Sequence, residues 1–248
     1  MKIEPSTAFM RYTRWIETGG HYSDHVLEVI VHSMQKDAGN TKQSGKGRFR
    51  PSLIGNPCDR IQLLSYLSDE GSDFKGNWRT WMGTWMHLAF QTFLLDEYGE
   101  HLRIEHAVVP DRGRVGVHGK ADWYWYGGNV AIGMSEVMGP HIGDYKSAMK
   151  IDAYHDAPKD KHVQQLLYEM VTLDVRRAYL VYQTRSFGAM AVWHLEAEDE
   201  DIRRATERLS VLQGYADSGE LPDLLLPCRS MSGPYKECDW ARQCFDRL

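Results

Sequence analysis

The chain has 248 residues, a formal net charge of -5, 42% hydrophobic residues and 25% charged residues. This length suits one large domain with its own core, and the composition excludes a disordered or collagen-like chain. Residues 1–10 lack the basic and apolar segments of a secretory signal. No apolar run approaches the ~20 residues that cross a bilayer. We therefore expect a cytoplasmic protein with no membrane partner.

The first fifth of the chain predicts a helix followed by a basic loop. Apolar residues recur at helical spacing over residues 24–37. Residues 40–51 then place basic side chains among glycine and serine, with no acid: Lys42, Lys46, Arg48 and Arg50. Such a segment is either a solvated loop or one that contacts phosphates. We interpret residues 1–50 as an N-terminal helical extension with a basic loop, and residues 51–248 as the main compact domain.

Helices and strands alternate in the rest of the chain. Helices are predicted over residues 58–67 and 78–98, and the second has an aromatic stripe (Trp78, Trp81, Trp85, Leu88 and Phe93) that we interpret as core. The later elements are strands at 102–109, 115–126, 130–138 and 141–147, a helix at 160–174, strands at 177–184 and 188–195, and a helix at 198–217. A late strand–helix–strand crossover predicts an α/β fold with a central mixed sheet flanked by helices.

The clearest chemical signal is the sequence Gly143-Asp144-Tyr145-Lys146. Residues i and i+2 of a strand project to the same face, so Asp144 and Lys146 point together. A carboxylate that holds a divalent cation beside an ammonium group suits phosphodiester hydrolysis, although an exposed ion pair has the same pattern. Asp122 ends up close to Asp144 if the two strands are neighbours. Two facing carboxylates repel unless a cation such as Mg²⁺ or Mn²⁺ neutralises them.

Three further residues are candidates for the same site. His87 lies on an apolar helix and is either a core histidine or a metal ligand, and an imidazole favours Mn²⁺ over Mg²⁺. Gln164 and Tyr168 are one helical turn apart and share a face. They are either helix-surface groups or groups that contact a nucleic-acid backbone or support Lys146.

The four cysteines form a separate candidate metal site: Cys58, Cys228, Cys238 and Cys244. In a chain without a secretion signal, a metal or redox role is favoured over disulfides. Four thiolates can hold either a structural Zn²⁺ or an iron–sulfur cluster.

The ordered motifs resemble a known family. Gly83-x3-His87, Gly119-x2-Asp122, Asp144-Tyr145-Lys146 and Gln164-x3-Tyr168 resemble the RecB-like exonucleases of the PD-(D/E)xK superfamily. One cysteine before this core and three after it is similar to the iron–sulfur subgroup, which includes the CRISPR-associated RecB-like exonucleases and the nuclease domain of AddB. The resemblance runs from about Ser52 to Cys244.

This resemblance implies a restriction-endonuclease-like core and a role for each motif residue. His87, Asp122, Asp144 and the carbonyl of Tyr145 would bind the catalytic metal, and Lys146 would be the catalytic lysine. Gln164 and Tyr168 would form the supporting motif, and the four cysteines would form a C-terminal cysteine cluster that holds [4Fe–4S].

The sequence therefore predicts a metal-dependent DNA exonuclease that acts on single-stranded DNA or DNA ends, with the basic loop guiding the strand. Its partners would belong to recombination, repair or CRISPR adaptation. The alternatives are an end-processing endonuclease in a larger complex, a non-catalytic DNA-binding module stabilised by a metal cluster, and a zinc-stabilised interaction protein.

Overall fold

A computed structural model of the chain describes residues 1–9, 11–17, 46–56, 58–67, 78–127, 130–132, 135–137, 139–185, 189–223 and 244. The predicted helix at 24–37 lies outside these residues, and so do Lys42, Cys228 and Cys238. Within the part of the chain that is described, no helix is both long and apolar enough to cross a membrane.

The elements follow the predicted order closely. The strands are β1 (Lys2–Pro5), β2 (Leu102–Val108), β3 (Gly119–Trp125), β4 (Val130–Ile132), β5 (Ser135–Val137), β6 (His141–Ala148), β7 (Arg177–Thr184) and β8 (Met190–Glu196). The helices are α1 (Arg11–Glu17), α2 (Pro51–Ile54), α3 (Asp59–Leu67), α4 (Trp78–Tyr98), α5 (Asp152–His155), α6 (Asp160–Leu173) and α7 (Asp199–Ser218).

Six strands form one mixed sheet in the order β1-β8-β7-β6-β3-β2. Strands β6 and β7 are parallel, whereas the other neighbours in this sheet are antiparallel. A parallel pair needs a crossover connection, which the chain supplies through α6. The predicted α/β fold with a mixed central sheet flanked by helices is therefore confirmed. The predicted strand at 130–138 is instead the separate β4–β5 pair.

The sheet separates two cores. The larger one includes Leu166 of α6, Leu180 of β7 and Leu209 of α7, and all three side chains are fully buried. The other is aromatic and packs α4 on β3, with Phe90 and Trp123 fully buried. Burying one such side chain contributes about 1.5–3 kcal/mol to stability, so these two layers fix α4 and α6 on opposite faces of the sheet.

The aromatic stripe predicted for α4 is wrong at Trp85, and the side chains of Trp78 and Trp81 lie outside the described residues. Phe93 is fully buried, but Trp85 is 39% exposed. The buried face of α4 begins instead at Met86 and continues through Phe90 and Leu94. Spacings of four residues connect these three side chains, so the face that packs on the sheet is rotated by one residue from the predicted one.

The first residues of the chain take part in the core. Strand β1 pairs with β8 at the edge of the sheet, and Phe9 and Tyr12 are fully buried in the aromatic core. The four residues of β1 are all exposed, so no buried face identifies this short strand. The predicted division of the chain at residue 50 remains a prediction.

Gly143 lets Trp123 pack directly against strand β6. The two residues are opposite each other in the β3–β6 ladder. A Cβ at position 143 would lie 1.8 Å from Cζ2 of the Trp123 indole, far closer than any van der Waals contact. Glycine is therefore required at this point, immediately before Asp144.

We expect Gly143→Ala to lower the free energy of unfolding by about 1–3 kcal/mol or more, because the added methyl group forces Trp123 to move. Urea denaturation measures this change. Gly214→Ala is the matched control, since a Cβ there meets nothing within 4 Å and Gly214 lies within α7. The control should gain about 0.5–1 kcal/mol. Equal stability of Gly143→Ala and the parent protein would contradict this packing.

Candidate active site

Two aspartates face each other where strands β3 and β6 part. The antiparallel ladder joins Trp125 to His141 and Trp123 to Gly143, so its continuation places Asp122 opposite Asp144. The pairing has ended at that point, and Asp122 Oδ2 instead accepts a hydrogen bond from the backbone N–H of Tyr145 at 2.6 Å. Both aspartates are buried. The end of the ladder therefore creates a pocket that holds two carboxylates.

His87 reaches this pocket from α4. Its Nε2 lies 2.8 Å from Asp122 Oδ2, and its ring stacks on Tyr145 with the centroids 5.6 Å apart. One turn earlier in the helix, a Cβ on Gly83 would lie 3.0 Å from the hydroxyl of Ser147. The glycine of the Gly83-x3-His87 motif thus allows α4 to approach β6 closely enough for the imidazole to reach Asp122.

Lys146 and Asp144 form an ion pair on the same face of β6. The Lys146 Nζ lies 2.8 Å from a carboxylate oxygen of Asp144. The side-chain carbonyl of Gln165 accepts a second hydrogen bond from Nζ at 3.3 Å, and the Gln165 amide donates to Asp144 Oδ1 at 3.3 Å. One glutamine on α6 therefore contacts both members of the pair.

The contact with Lys146 that was predicted for Gln164 is made by its neighbour Gln165. The hydroxyl of Tyr168 accepts a hydrogen bond from Arg208 at 3.0 Å, so this ring packs toward α7. The supporting role predicted for Gln164 and Tyr168 remains a prediction. A contact of Gln164 and Tyr168 with a nucleic-acid backbone remains a prediction.

Burial and charge together perturb the acids of the pocket. Burial raises the pKa of Asp144 to about 6; the Lys146 ammonium opposes this rise, and the negative charge of Asp122 adds to it. Burial would also raise the pKa of Asp122, but His87, Lys146 and the Tyr145 amide hold it below its ordinary value. Burial opposes the charged form of His87 as well, yet Asp122 raises the histidine pKa. The two carboxylates therefore differ: Asp122 is held in its charged form, whereas burial makes Asp144 easier to protonate.

Glu105 is a site residue that the sequence analysis missed. Among the described residues, His87, Glu105 and Asp122 offer ligand atoms that all lie within 4.8 Å of one another. Glu105 has a φ of 50°, a left-handed conformation that costs a residue with a side chain about 1–3 kcal/mol when imposed by its surroundings. Gln91 donates to its carboxylate at 2.9 Å and Lys120 at 3.2 Å. The predicted ligand Asp144 pairs instead with Lys146, and its role as a ligand remains a prediction.

A cleft of about 760 Å³ adjoins the pocket. Arg48 and Arg50 line it together with Lys120, and Gln165 and Glu169 form part of its wall. The backbone carbonyl of Phe49 accepts a hydrogen bond from the N–H of His118 at 2.7 Å, which holds the basic segment against the sheet. Two of the four predicted DNA-contacting residues thus lie beside the pocket. Lys46 is described as well, whereas Lys42 is not.

Two of the four cysteines are described, and they meet in one cluster. Cys58 and Cys244 are both buried and share an apolar cluster with Ile61 and Leu64. The Arg60 guanidinium donates from Nε to the Cys244 sulfur at 3.1 Å and from a second nitrogen to its carbonyl at 3.2 Å. The structure therefore places Cys244 beside the start of α3, and binding of a metal or cluster by the four cysteines remains a prediction.

Comparisons with known proteins give structural neighbours. No protein-family model matches the chain, and no curated protein matches it. The alkaline exonuclease LHK-Exo from Laribacter hongkongensis is similar over 70% of this chain and 89% of its own, with 12% identity and a TM-score of 0.50. Its complex with dAMP is similar over 71% and 91%, with 12% identity and a TM-score of 0.51. SSO0001 is similar over 91% and 98%, with 14% identity and a TM-score of 0.48.

At 12% identity, the similarity to LHK-Exo gives information about the fold and not about the activity. The chain shares an α/β fold with LHK-Exo, and in this chain the mixed six-stranded sheet carries helices on both faces. An iron–sulfur subgroup is not defined by these neighbours. The activity has to be argued from the site itself.

We expect Mn²⁺ to stabilise the protein, because a cation neutralises the facing carboxylates only in the folded state. At 100 times its dissociation constant, a bound cation adds about 2.7 kcal/mol, which corresponds to a rise in Tm of roughly 5–10 °C for a chain of this size. Thermal unfolding with and without Mn²⁺ measures this rise.

Asp122→Asn should abolish most of the rise in Tm, and Glu105→Gln should reduce it. Asp111→Asn should retain it, since the Asp111 side chain is 82% exposed. An unchanged rise in Asp122→Asn would contradict a cation site in this pocket.

Proposed function

We propose that the protein is a divalent-metal-dependent deoxyribonuclease that acts as an exonuclease on single-stranded DNA or on DNA ends. One observation carries the proposal: the Asp144–Lys146 pair on β6 faces Asp122 and His87 within a single buried pocket. Phosphodiester hydrolysis requires a cation to neutralise the phosphate and an ammonium group beside the attacking water. This pocket brings the groups for both requirements together.

The donor set fits a hard divalent cation. His87, Asp122 and Asp144 would hold it together with the carbonyl of Tyr145, and Glu105 lies within reach of the same position. Two buried carboxylates in opposition are costly without a cation, which supports this assignment. The imidazole favours Mn²⁺, and the carboxylates accept Mg²⁺ equally well. When bound, the cation supplies charge neutralisation of the phosphate.

The protein's own groups perform the remaining tasks. Lys146 is held between Asp144 and Gln165, so its ammonium has a fixed direction. It orients the attacking water and stabilises charge that develops on the phosphate oxygens. Arg48 and Arg50 bind the phosphates of the strand that enters through the adjacent cleft.

The purified protein should shorten linear DNA in the presence of Mg²⁺ or Mn²⁺ and spare a covalently closed plasmid. Asp144→Ala and Lys146→Ala should each slow cleavage by roughly 100- to 10,000-fold. Lys150→Ala is the control, because Lys150 is an exposed lysine just beyond the same strand. End-labelled single-stranded and double-stranded substrates measure the rates.

Three results are decisive in this experiment. A wild-type protein that leaves all DNA intact would refute the proposal, and so would a fully active Lys146→Ala variant. Nicking of the closed plasmid would favour the end-processing endonuclease.

Substituting both Arg48 and Arg50 with alanine should weaken DNA binding and flatten its salt dependence. Unchanged binding would show that these two residues do not contact the DNA.

We further propose that Cys58, Cys228, Cys238 and Cys244 bind a [4Fe–4S] cluster that ties the C-terminal segment to α3. The shared burial of Cys58 and Cys244 supports this arrangement. The hydrogen bond from Arg60 to the Cys244 sulfur is of the kind that tunes cluster thiolates.

Protein purified without air should be brown and lose its visible absorbance on oxidation, because iron–sulfur clusters absorb visible light and are sensitive to oxygen. Cys58→Ala and Cys244→Ala should each lose this absorbance together with the bound iron. Colourless protein that contains one zinc ion would instead support structural Zn²⁺.

A further inference from the structure

A buried carboxyl group lies behind the candidate catalytic lysine and is not used in the chemistry described above. Glu169 lies on α6 one turn after Gln165, and its side chain is fully buried. Its Oε1 accepts a hydrogen bond from the Gln165 amide at 3.1 Å. Its Oε2 is buried and has no hydrogen-bond partner within the described part of the chain.

The Gln165 amide therefore joins three groups. Its nitrogen donates to Glu169 and to Asp144, and its oxygen accepts from the Lys146 ammonium. An amide can rotate by half a turn, which would exchange its nitrogen and oxygen and turn a donor toward Lys146. The Oε1 oxygen of Glu169 favours the orientation seen here, because a flipped amide would place its own oxygen against this acceptor.

We propose that Glu169 is a positioning residue of the candidate active site: it fixes the amide of Gln165, and Gln165 holds Lys146 and Asp144 in place. This inference rests on the proposed function and identifies a residue on which that chemistry depends. Glu169 acts through Gln165 and does not touch the reacting atoms.

The surroundings of Glu169 favour a neutral carboxylic acid. Burial raises its pKa well above the ordinary value, and the negative charge of Asp144 raises it further. An ionised carboxylate with one unpaired oxygen in this position would be strongly destabilising. The neutral acid keeps a carbonyl oxygen that accepts from Gln165, which is all that the positioning role requires.

Because Glu169 is neutral in this arrangement, two uncharged substitutions can test whether its carbonyl oxygen is needed. Glu169→Gln retains a carbonyl oxygen of the same shape and carries no charge. Glu169→Leu retains most of the volume but removes the acceptor. Gln62→Leu is the matched control, because Gln62 is equally buried on α3 and its side-chain atoms have no hydrogen-bond partner among the described residues.

We expect Glu169→Leu to lower kcat for DNA hydrolysis by about 10- to 100-fold with KM unchanged, as is typical of groups that orient a catalytic residue. Glu169→Gln should retain kcat within about threefold, because it still accepts from Gln165. Gln62→Leu should behave like the wild type. Thermal unfolding confirms that each variant is folded before its rates are compared.

A second measurement does not depend on DNA cleavage. The ammonium protons of Lys146 should exchange slowly enough with water to be detected by ¹⁵N-resolved NMR, because two acceptors hold them. This signal should persist in Glu169→Gln and be lost in Glu169→Leu. An inactive wild-type protein would refute the proposed nuclease function, yet the NMR comparison would still test the role of Glu169.

Two outcomes are decisive: the first overturns the positioning role of Glu169, and the second overturns its neutral form. If Glu169→Leu keeps both the wild-type kcat and the Lys146 signal, Glu169 does not position the lysine. If Glu169→Gln is as impaired as Glu169→Leu, the negative charge of Glu169 is needed, and the neutral acid is wrong.

Discussion

The repulsion between two buried carboxylates, those of Asp122 and Asp144, is the constraint around which this site is organised. The register of the β3–β6 ladder places the two residues opposite each other. The ladder ends one residue pair earlier, so the backbone does not pair them. Each is compensated differently: Asp122 by His87 and a backbone amide, and Asp144 by Lys146 and Gln165. A divalent cation would relieve the remaining repulsion. The proposed chemistry needs a cation at the same place where the fold brings the two carboxylates together.

The aromatic core provides the rigid base of this polar pocket. Phe9 meets both Phe90 and Trp123 edge-on, with ring centroids 5.5 and 5.6 Å apart. Such pairs add about 0.5–1.5 kcal/mol each beyond the area that they bury. The stability lost by burying like charges is thus offset directly beneath the site, where the same rings hold α4 and β3 in position. Natural proteins commonly offset the strain of a functional site in this way.

The sequence predicts the fold and the centre of the site well, but not the details that depend on docking. The pairing of Asp144 with Lys146 follows from the two-residue period of a strand, and the crossover through α6 follows from hydrophobic periodicity. Gln164 and Gln165 are adjacent, so only the angle at which α6 packs decides which of them meets Lys146. Trp85 is exposed for the same reason, since rotating a helix by one residue changes its buried face.

Other features have no local signal at all. The left-handed φ of Glu105 has no marker in the sequence, and its carboxylate is contacted by Gln91 from a helix and by Lys120 from a neighbouring strand. Strand β1 is short and has no buried residue, and its place in the sheet depends on pairing with β8, which is distant in the chain. The meeting of Cys58 and Cys244 likewise depends on long-range packing that residue spacing does not specify.

The residues of the candidate site come from distant parts of the chain, so no short segment can form the site by itself. His87, Asp122, Asp144 and Gln165 come from four different elements, and α6 lies between β6 and its parallel partner β7 in the chain. Contacts between distant residues form slowly, because a long loop must close before they contribute any stability. A chain still being synthesised therefore carries both aspartates well before it carries the pocket. An incomplete chain that ends before α6 holds both aspartates without the Gln165 contacts that complete the pocket.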